Sequence, residues 1–533
     1  MKQVYLLDCT LRDGGYINDW EFGHDNIVNI FERVVKSNVD VIEIGFLDDR
    51  REFDINRSIM PDTQSVEKIY GKLDRRNAIV VGMIDYGTCD ISHLQRCEDS
   101  YLDGIRVIFK KNIMYPAMEF CRQVKDLGYK VFSQLVSVTS YSDDELMEII
   151  KLVNDVGPYA VSMVDTYGLL NPQELTHIME IMDKHLNPDI ILGFHAHNNF
   201  QLGYINAVTA LNYNTKRQML VDGTLYGMGK SAGNAPLELI AMYMNENFGK
   251  NYSVTEMQEA ITVSVMDFQK RSPWGYQLFY YIAASNRVHP NYVSYLMNKR
   301  TLSVTTINEL LQRIPEDQKL EKNMKLIEQL YVDYQKNECN DEADIINLSK
   351  ELEAKKILII GPASSIGKYE KEIVDYIEST SPTIISINYI PIICQPDYLF
   401  ITNANRYLQS STKLHDSENQ NMKIIASSNL TKNYKDFDYV INYSSVIDEK
   451  AEFPDNSMCM LIRVLINCGC KEAVLAGFDG YTADSVNYFD VDKEYSFLKE
   501  KAAYLNQYAK DFFNSIADKI SISFLTPSEY EKG

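Results

Sequence analysis

The sequence predicts an α/β protein with an N-terminal (β/α)8 barrel (TIM barrel), a helical extension and a C-terminal Rossmann-like α/β domain. Three observations predict this architecture. Eight apolar, strand-like segments alternate with helix-like segments over about the first 240 residues. Polar motifs stand at the ends of the first and seventh of these segments. A second alternation of strands and helices begins near residue 356.

The eight barrel strands are predicted from continuous runs rich in Val and Ile, which are typical of parallel strands covered on both faces. Amphipathic stretches such as 26–36 and 143–155 lie between them and predict helices. Eight regular units favour a closed barrel over a doubly wound open sheet. The predicted strands are 4–7, 39–45, 78–83, 104–109, 130–135, 160–165, 190–195 and 218–222.

The rest of the chain divides into three parts, so that we expect domains at 1–250, 251–335 and 356–533 with a linker at 336–355. The helical part is rich in Tyr and Phe, as at 279–281, and an exposed apolar face there predicts a homodimer. The linker is acidic and polar. Strands of the last domain are predicted at 357–360, 383–387, 398–401, 423–426, 439–441, 473–477 and 520–524.

The composition of the 533 residues is that of a soluble globular protein, with 45% hydrophobic residues and a formal net charge of −21. The acidic balance argues against binding to nucleic acid or to anionic membranes. No apolar run is long enough to span a membrane, and the chain begins without a signal peptide. The nine cysteines include no Cys-x-x-Cys pair and are expected to be reduced. We therefore expect a cytoplasmic protein.

Two motifs predict a metal site at the carboxyl ends of the barrel strands. Residues 8–15 read DCTLRDGG and residues 195–199 read HAHNN. His195 and His197 point the same way on a strand, and with Asp13 they make a three-ligand divalent-cation site. Oxygen and nitrogen ligands without a thiolate favour Mn²⁺ or Mg²⁺, with Co²⁺ or Zn²⁺ as alternatives. Otherwise Asp13 would be a turn residue that caps a helix, and the histidines part of a polar rim.

Other residues at the same rim are candidates for substrate binding. Arg12 presents a fork of donors for an enolate or carboxylate oxygen, or it forms a salt bridge that supports the loop. Asn234, in the Gly-rich segment 227–238 after the last barrel strand, could supply a carbonyl oxygen to metal or substrate. Thr166 ends strand six at this rim. Glu43, a charge inside a strand, is expected to pair with an arginine inside the barrel.

Three motifs in order, LDCTLRDGG (7–15), HAHN (195–198) and GNAPLE (233–238), resemble those of the pyruvate-type metal-dependent lyases and synthases. That superfamily contains 4-hydroxy-2-oxovalerate aldolase, hydroxymethylglutaryl-CoA lyase and isopropylmalate synthase. The resemblance covers residues 1–285 and is nearest to 4-hydroxy-2-oxovalerate aldolase, because of SAGNAPLE (231–238) and a later Gly-Tyr pair (275–276). It implies Asp13, His195 and His197 as metal ligands and Arg12 as the group that stabilises an enolate.

The resemblance implies a catalytic role for two tyrosines. Tyr16 stands where the aldolase has a histidine base, and a phenol with a pKa near 10 is a poor base at neutral pH but could donate to an aldehyde oxygen. Tyr276 corresponds to a family tyrosine that reaches the site. The implied reaction joins or cleaves a 2-oxo acid enolate and an aldehyde. The alternatives are a Claisen-type synthase that uses an acyl-CoA, and a non-catalytic scaffold.

The C-terminal domain carries a second candidate site. Gly361, Ser364 and Ser365 lie in a turn between a strand and a helix, where a nucleotide phosphate could bind, although a tight structural turn explains the same residues. Segments 456–460 and 471–481 resemble bacterial sialyltransferase-like Rossmann domains. That resemblance implies a nucleotide sugar as ligand and a role in surface polysaccharide biosynthesis.

Overall fold

The computed structural model describes residues 2–299, 302–336, 338–414, 421–430, 437–483, 487–489 and 501–531, with the backbone alone at 411–413. The chain forms two compact units, Met1–Pro290 and Asn291–Gly533. The division falls inside the segment that the sequence predicted as a helical extension, and the predicted domain boundaries stay predictions. Within the described residues, every helix falls short of the length and apolar character needed to cross a membrane.

The first unit contains the predicted barrel. Eight parallel strands close on themselves, because β1 (Val4–Asp8) pairs with β9 (Met219–Gly223) on one side and with β2 (Val41–Leu47) on the other. A short ninth strand, β3 (Ile59–Met60), pairs with the carboxyl end of β2. The strands are β1 Val4–Asp8, β2 Val41–Leu47, β3 Ile59–Met60, β4 Ile79–Asp85, β5 Gly104–Phe109, β6 Lys130–Leu135, β7 Ala160–Asp165, β8 Ile191–Ala196 and β9 Met219–Gly223.

Helices cover the outside of the barrel, and local sequence explains where several begin. Ser142 and Glu145 form a capping box at the start of one helix. Asn171 and Glu174 form a capping box at the start of another, whose first residue is Pro172. The α-helices of this unit are Thr10–Asp13, His24–Lys36, Thr63–Tyr70, Met114–Asp126, Asp143–Val156, Pro172–His185, Gly203–Asn212, Leu237–Phe248, Val254–Ala260, Met266–Arg271 and Leu278–Ser285.

A bulge in β2 shapes the end of the barrel where the motifs lie. The register between β2 and β4 shifts between Glu43 and Phe46. Gly45 takes φ +139°, and a Cβ there would lie 1.8 Å from the carbonyl oxygen of Ser58. Only glycine allows this close approach. Ser58 in turn donates to the carbonyl of Leu11 (2.6 Å), which holds the turn after β1 against the bulged strand.

The second unit contains a seven-stranded sheet in which every pair of strands is parallel, in the order β14-β13-β12-β11-β10-β15-β16. A Rossmann-like classification of this sheet stays a prediction. The strands are β10 Ile357–Ile360, β11 Thr383–Ile387, β12 Tyr398–Ile401, β13 Lys423–Ser427, β14 Tyr439–Ile441, β15 Glu472–Ala476 and β16 Ser521–Phe524.

The segment predicted as a linker, 336–355, carries a helix. Helix Glu342–Leu352 buries Leu348 and Leu352, four residues apart, in the core of the second unit. The other α-helices of the second half are Pro290–Asn298, Val304–Gln312, Met324–Gln335, Ser365–Lys368, Glu370–Thr380, Ala404–Leu414, Tyr443–Val446, Ser457–Asn467 and Ala502–Ile516.

Candidate active site

The structure brings Asp13, His195 and His197 together at the carboxyl end of the barrel. Asp13 ends the short helix after β1, His195 lies in β8, and His197 follows that strand. The Nε2 atoms of His195 and His197 lie 3.5 Å and 3.9 Å from Oδ2 of Asp13. All three side chains are buried, and their ligand atoms lie within 4.8 Å of one another. One ion could therefore contact all three.

The two imidazoles are held so that Nε2 of each faces Asp13. Nδ1 of His195 lies 3.0 Å from Oδ2 of Asp222, and Nδ1 of His197 lies 3.2 Å from the carbonyl oxygen of Lys230. These partners accept a hydrogen bond, so the geometry assigns a proton to Nδ1 of each ring and leaves Nε2 as the nitrogen that would bind a cation. Metal-binding histidines are oriented in this way.

Asn234 adds a fourth group to the set. Its Nδ2 donates to Oδ1 of Asp13 (2.9 Å) and to the carbonyl of Met228 (3.1 Å). Its amide oxygen is buried and has no hydrogen-bond partner among the described residues. A buried polar atom normally has a partner. The donor set of two imidazoles, one carboxylate and one amide oxygen fits a divalent cation.

The surroundings of Asp13 and His197 favour the protonation states that bind a cation. Burial alone would raise the pKa of Asp13, but Arg12 and the two imidazoles hold that pKa well below its usual range. Burial lowers the pKa of His197 to about 3. Burial also acts to lower the pKa of His195, but its hydrogen bonds to Asp13 and Asp222 raise that pKa overall. At neutral pH, Asp13 is a carboxylate and His197 is neutral.

A second group that shares His195, formed with Cys9 and Asp222, is less suited to a metal. Burial raises the pKa of the Cys9 thiol well above its usual value, whereas metal ligation requires a thiolate. Oδ2 of Asp222 already accepts from Arg106 and faces His195. The group around Asp13 therefore remains the candidate metal centre.

Arg12 lies beside the metal centre and is only 5% exposed. Its Nη1 pairs with Asp13, and its Nε donates to Oε2 of Glu43 (2.7 Å). Glu43 thus pairs with an arginine inside the barrel, as predicted. These contacts use two of the three guanidinium nitrogens, Nε and Nη1.

Tyr16 and Lys230 stand together at the mouth of the barrel. Nζ of Lys230 lies 5.3 Å from the centroid of the Tyr16 ring. The ring also packs edge-on against Trp20, with centroids 4.9 Å apart. The Tyr16 side chain is 40% exposed. Partial desolvation and the nearby carboxylates raise its pKa, although Arg12 opposes this. Tyr16 therefore stays protonated at neutral pH, so its hydroxyl can donate a hydrogen bond and is a poor base.

Two other predicted residues have different surroundings. The hydroxyl of Thr166 accepts from the backbone N–H of Ser137 (2.7 Å). Tyr276 is 60% exposed. Near it, Trp274 packs against the Gly-rich loop: its Nε1 donates to the carbonyl of Tyr226 (2.9 Å), and its ring lies 3.1 Å from the Cβ position of Gly233. The roles assigned to Thr166 and Tyr276 stay predictions.

Sequence reasoning assigned no role to Asp222, Arg106 or Lys230. Arg106 and Asp222 could have been found by the same sequence feature as Glu43, because each is a charged residue inside an otherwise apolar strand. Lys230 lies in the Gly-rich loop, and its backbone N–H donates to Oδ1 of Asp13 (3.0 Å). Composition alone does not show that this loop reaches Asp13.

In the second unit, the predicted phosphate turn contacts the protein itself. The backbone N–H of Ser365 donates to Asp479 (2.9 Å), and the hydroxyls of Ser364 and Ser365 also bond to that carboxylate. A Cβ at Gly361 would lie 2.4 Å from the carbonyl oxygen of Gly477. Phosphate binding by Gly361, Ser364 and Ser365 stays a prediction, and these contacts explain the same residues as structural.

A cavity of about 200 Å³ opens beside this turn, at the carboxyl ends of β10, β11, β12 and β15. Arg406, near the start of helix Ala404–Leu414, lines the cavity and is 6% exposed. Aromatic and amide side chains contribute much of the remaining lining. They include Asn388, Tyr389, Phe453, Phe478, Asn487 and Tyr488.

Comparison with known proteins agrees with the geometry of the barrel. Residues 3–264 match the HMGL-like family. The 4-hydroxy-2-oxovalerate aldolase of a Marinomonas species is 25% identical over 272 residues, 50% of this chain and 79% of the relative. The 2-isopropylmalate synthase of Sulfolobus acidocaldarius is 25% identical over 254 residues, 48% of this chain and 65% of the relative.

Among solved structures, the HMG-CoA lyase of Brucella melitensis matches with 13% identity and a TM-score of 0.42, over 50% of this chain and 100% of that one. The sequence matches confirm the predicted resemblance for the N-terminal half of the chain. The family match ends at residue 264, so the second unit lies outside it. The resemblance of that unit to sialyltransferase-like domains stays a prediction.

Proposed function

We propose that the barrel is a divalent-metal-dependent aldolase that forms or cleaves the carbon–carbon bond between a 2-oxo acid enolate and an aldehyde. One observation carries the proposal. The ligand atoms of Asp13, His195 and His197 lie together, and Nδ1 of each histidine faces a hydrogen-bond acceptor. Arg12 lies beside this cluster, and its Nη2 would bind the substrate. Sequence similarity to 4-hydroxy-2-oxovalerate aldolases supports it over half the chain.

The residues divide into metal-binding and substrate-binding groups. Asp13, His195 and His197 would hold the cation, and the amide oxygen of Asn234 would join them; we favour Mn²⁺ or Mg²⁺. When bound, the cation would supply Lewis-acid polarisation of a keto group. Arg12 would bind the carboxylate or the enolate oxygen of the 2-oxo acid and stabilise the charge that develops there.

The second substrate would meet the residues at the barrel mouth. Tyr16 stays protonated at neutral pH and would give its proton to the alkoxide that forms from the aldehyde oxygen as the new bond forms. In the reverse direction, the Tyr16 phenolate would take that proton back from the alcohol as the carbon–carbon bond breaks. The ammonium group of Lys230, close to the Tyr16 ring, adds positive charge on the same side of the site.

Deuterium exchange tests the barrel proposal without knowledge of the aldehyde. Pyruvate in D₂O with Mn²⁺ or Mg²⁺ should lose its methyl proton signal in the presence of the protein. His195→Ala should slow the exchange by about 100-fold or more, because it removes a metal ligand. The matched control is His177→Ala, since His177 pairs with Asp143 on an exposed helix surface. Proton NMR with and without a chelator measures the exchange.

Absence of exchange in protein shown to contain metal would contradict an aldolase that acts on pyruvate. The similarity to a 2-isopropylmalate synthase supplies the next candidate, a Claisen-type synthase that enolises an acyl-CoA. Release of free thiol from an acyl-CoA in the presence of a 2-oxo acid would then identify that activity.

We also propose that the second unit binds a nucleotide sugar, consistent with a role in surface polysaccharide biosynthesis. The cavity that supports this lies at the carboxyl ends of parallel strands, where α/β sheets commonly bind ligands. Arg406 would meet a phosphate, and Tyr389, Phe453 and Tyr488 offer rings to a base or sugar. Separately, we propose that the protein forms a homodimer through the aromatic helical segment.

A further inference from the structure

Beneath the metal centre, six buried side chains form a closed ring of contacts. Asp13 pairs with Arg12, Arg12 with Glu43, and Glu43 with Arg106 at 3.0 Å. Arg106 binds Asp222, which contacts Nδ1 of His195, and Nε2 of His195 returns to Asp13. The ring consists of Asp13, Arg12, Glu43, Arg106, Asp222 and His195.

Arg106 occupies a special place in this ring, because it touches neither Asp13 nor His195 in these contacts. It lies in the middle of β5 with an exposure of 0%. Asp222, Glu43 and Gln134 (2.8 Å) surround its guanidinium group. Burying an arginine is costly unless it is well paired. Nη2 of Arg106 donates to Gln134 and Asp222, Nη1 forms an ion pair with Glu43, and Nε and Nη1 make no hydrogen bond among the described residues.

Two carboxylates of the ring, those of Glu43 and Asp222, each share one oxygen between Arg106 and a site residue. Oε2 of Glu43 contacts both Arg106 and Nε of Arg12, and Oδ2 of Asp222 contacts both Arg106 and Nδ1 of His195. The other oxygens, Oε1 of Glu43 and Oδ1 of Asp222, have no hydrogen-bond partner among the described residues. Arg106 is therefore the residue that contacts both shared oxygens, Oε2 of Glu43 and Oδ2 of Asp222.

We infer that Arg106 is a positioning residue that orients His195 through Asp222 and Arg12 through Glu43. The inference rests on the proposed function, since it treats His195 as a metal ligand and Arg12 as a substrate ligand. Without the guanidinium, both carboxylates can rotate about their side-chain bonds. Asp222 then no longer holds the proton of His195 on Nδ1, and Glu43 no longer holds the plane of Arg12.

Substitution at Arg106 should therefore change metal binding and substrate binding together. Arg106→Met, close in volume but uncharged, should weaken Co²⁺ affinity by about 10- to 100-fold, the range for partners that orient metal ligands. KM for pyruvate in the exchange reaction should also rise. Arg106→Lys keeps the charge but loses the fork, and it should fall between wild type and Arg106→Met. Visible absorption during Co²⁺ titration measures the affinity.

A second readout does not depend on bound metal. Solid-state ¹⁵N NMR of metal-free protein with labelled histidines distinguishes a protonated ring nitrogen from an unprotonated one. In wild type, the signals that disappear in His195→Asn should show a proton on Nδ1. In Arg106→Met, the His195 signals should show a mixture of the two tautomers. A purely structural role for Arg106 would not move them.

Arg217→Met is the matched control. Arg217 is also a buried arginine, 8% exposed, but it lies before β9 at the opposite end of the barrel and pairs with Asp183. It should leave Co²⁺ affinity and the His195 signals unchanged. Both tryptophans of the chain, Trp20 and Trp274, lie in the first unit, so their fluorescence on unfolding shows whether each variant still folds.

Wild-type Co²⁺ affinity and an unchanged His195 tautomer in folded Arg106→Met would overturn the inference. If Arg106→Met does not fold, Arg106→Lys decides by the same two measurements. If the wild-type protein binds no Co²⁺, the proposed metal centre fails, and the metal-free ¹⁵N spectra still decide the positioning role of Arg106.

Discussion

Each histidine of the candidate metal centre has one ring nitrogen bound to the protein and one directed at Asp13. The partner of Nδ1 is a carboxylate for His195 and a backbone carbonyl for His197. A carboxylate partner makes an imidazole more electron-rich than a carbonyl does. We therefore expect His195 to be the stronger ligand of the two.

At the residue scale, Asp165 predicts a pH dependence of stability. It ends β7, is 1% exposed, and accepts from the N–H groups of Leu169 (2.8 Å) and Leu170 (3.1 Å). Burial raises its pKa to about 6 in spite of these bonds. The folded state then holds the proton more tightly than the unfolded state, so the free energy of unfolding should fall as pH rises from about 4 to above 6.

Asp165→Asn removes that dependence. Between pH 4.5 and 7.5, the variant should gain stability relative to wild type by about 2 kcal/mol, since one pKa unit corresponds to about 1.36 kcal/mol and part of the effect lies below pH 4.5. Loss of one hydrogen bond adds an offset that does not vary with pH. Urea unfolding followed by tryptophan fluorescence in chelator measures the difference. A difference that stays constant across this pH range would contradict the assignment.

At the element scale, the Gly-rich loop after β9 connects three parts of the site. In this loop, the backbone N–H of Lys230 donates to Asp13. The backbone carbonyl of Gly233 accepts a hydrogen bond from the N–H of Asn198 (2.9 Å). Trp274 packs on its outer side. The loop thus holds Asp13, the segment after His197 and Asn234 in one arrangement.

Gly233→Ala tests whether this loop conformation matters. Gly233 has φ +84°, and an added Cβ would lie 2.2 Å from the carbonyl oxygen of Gly227. The loop must move, so we expect weaker metal affinity and a loss of about 1–3 kcal/mol in stability. Co²⁺ titration and tryptophan-detected unfolding measure the two effects.

Gly87→Ala is the control for backbone strain alone. Gly87 has φ +93°, close to that of Gly233, but an added Cβ would meet nothing within 4 Å. It should lose about 1 kcal/mol through its backbone conformation and keep the metal affinity of wild type. Equal metal affinity in both variants would show that the loop tolerates the substitution without disturbing the site.

At the scale of the whole molecule, two units with separate cores carry two candidate sites. The metal centre lies in the first unit, and the cavity around Arg406 lies in the second. Loss of one activity should therefore leave the other intact.

Arg406→Ala tests this separation and the proposed ligand of the second unit. It should weaken binding of nucleoside mono- or diphosphates by about 10-fold or more, because a charge-assisted contact to phosphate is lost. Pyruvate exchange by the barrel should not change. Calorimetric titration with a panel of nucleotides measures binding. Lys423→Ala is the control, since Lys423 pairs with Glu351 at the amino end of β13. Equal nucleotide binding by both variants would contradict the role of Arg406.

Much of the architecture follows from the sequence by itself. The eight barrel strands and the parallel strands of the second sheet lie within a few residues of their predicted positions, because buried parallel strands need continuous β-branched runs. Short motifs at strand ends also predicted a site formed by Asp13, His195, His197 and Arg12, and the structure brings these residues together, while their roles stay predictions. The pairing of Glu43 with an arginine followed from the cost of burying a lone charge.

Tertiary structure alone decided how these residues act. Arg106 lies 116 residues from Asp222 in sequence, and only barrel closure brings the two together. Pairing of β8 with β9 brings Nδ1 of His195 to Asp222, and the amide oxygen of Asn234 has no hydrogen-bond partner in the described part of the chain. In the second unit, Asp479 reaches the turn at Ser365 from 114 residues away. Residue type and spacing determine local structure, whereas hydrogen-bond partners depend on contacts between distant strands, which local sequence does not encode.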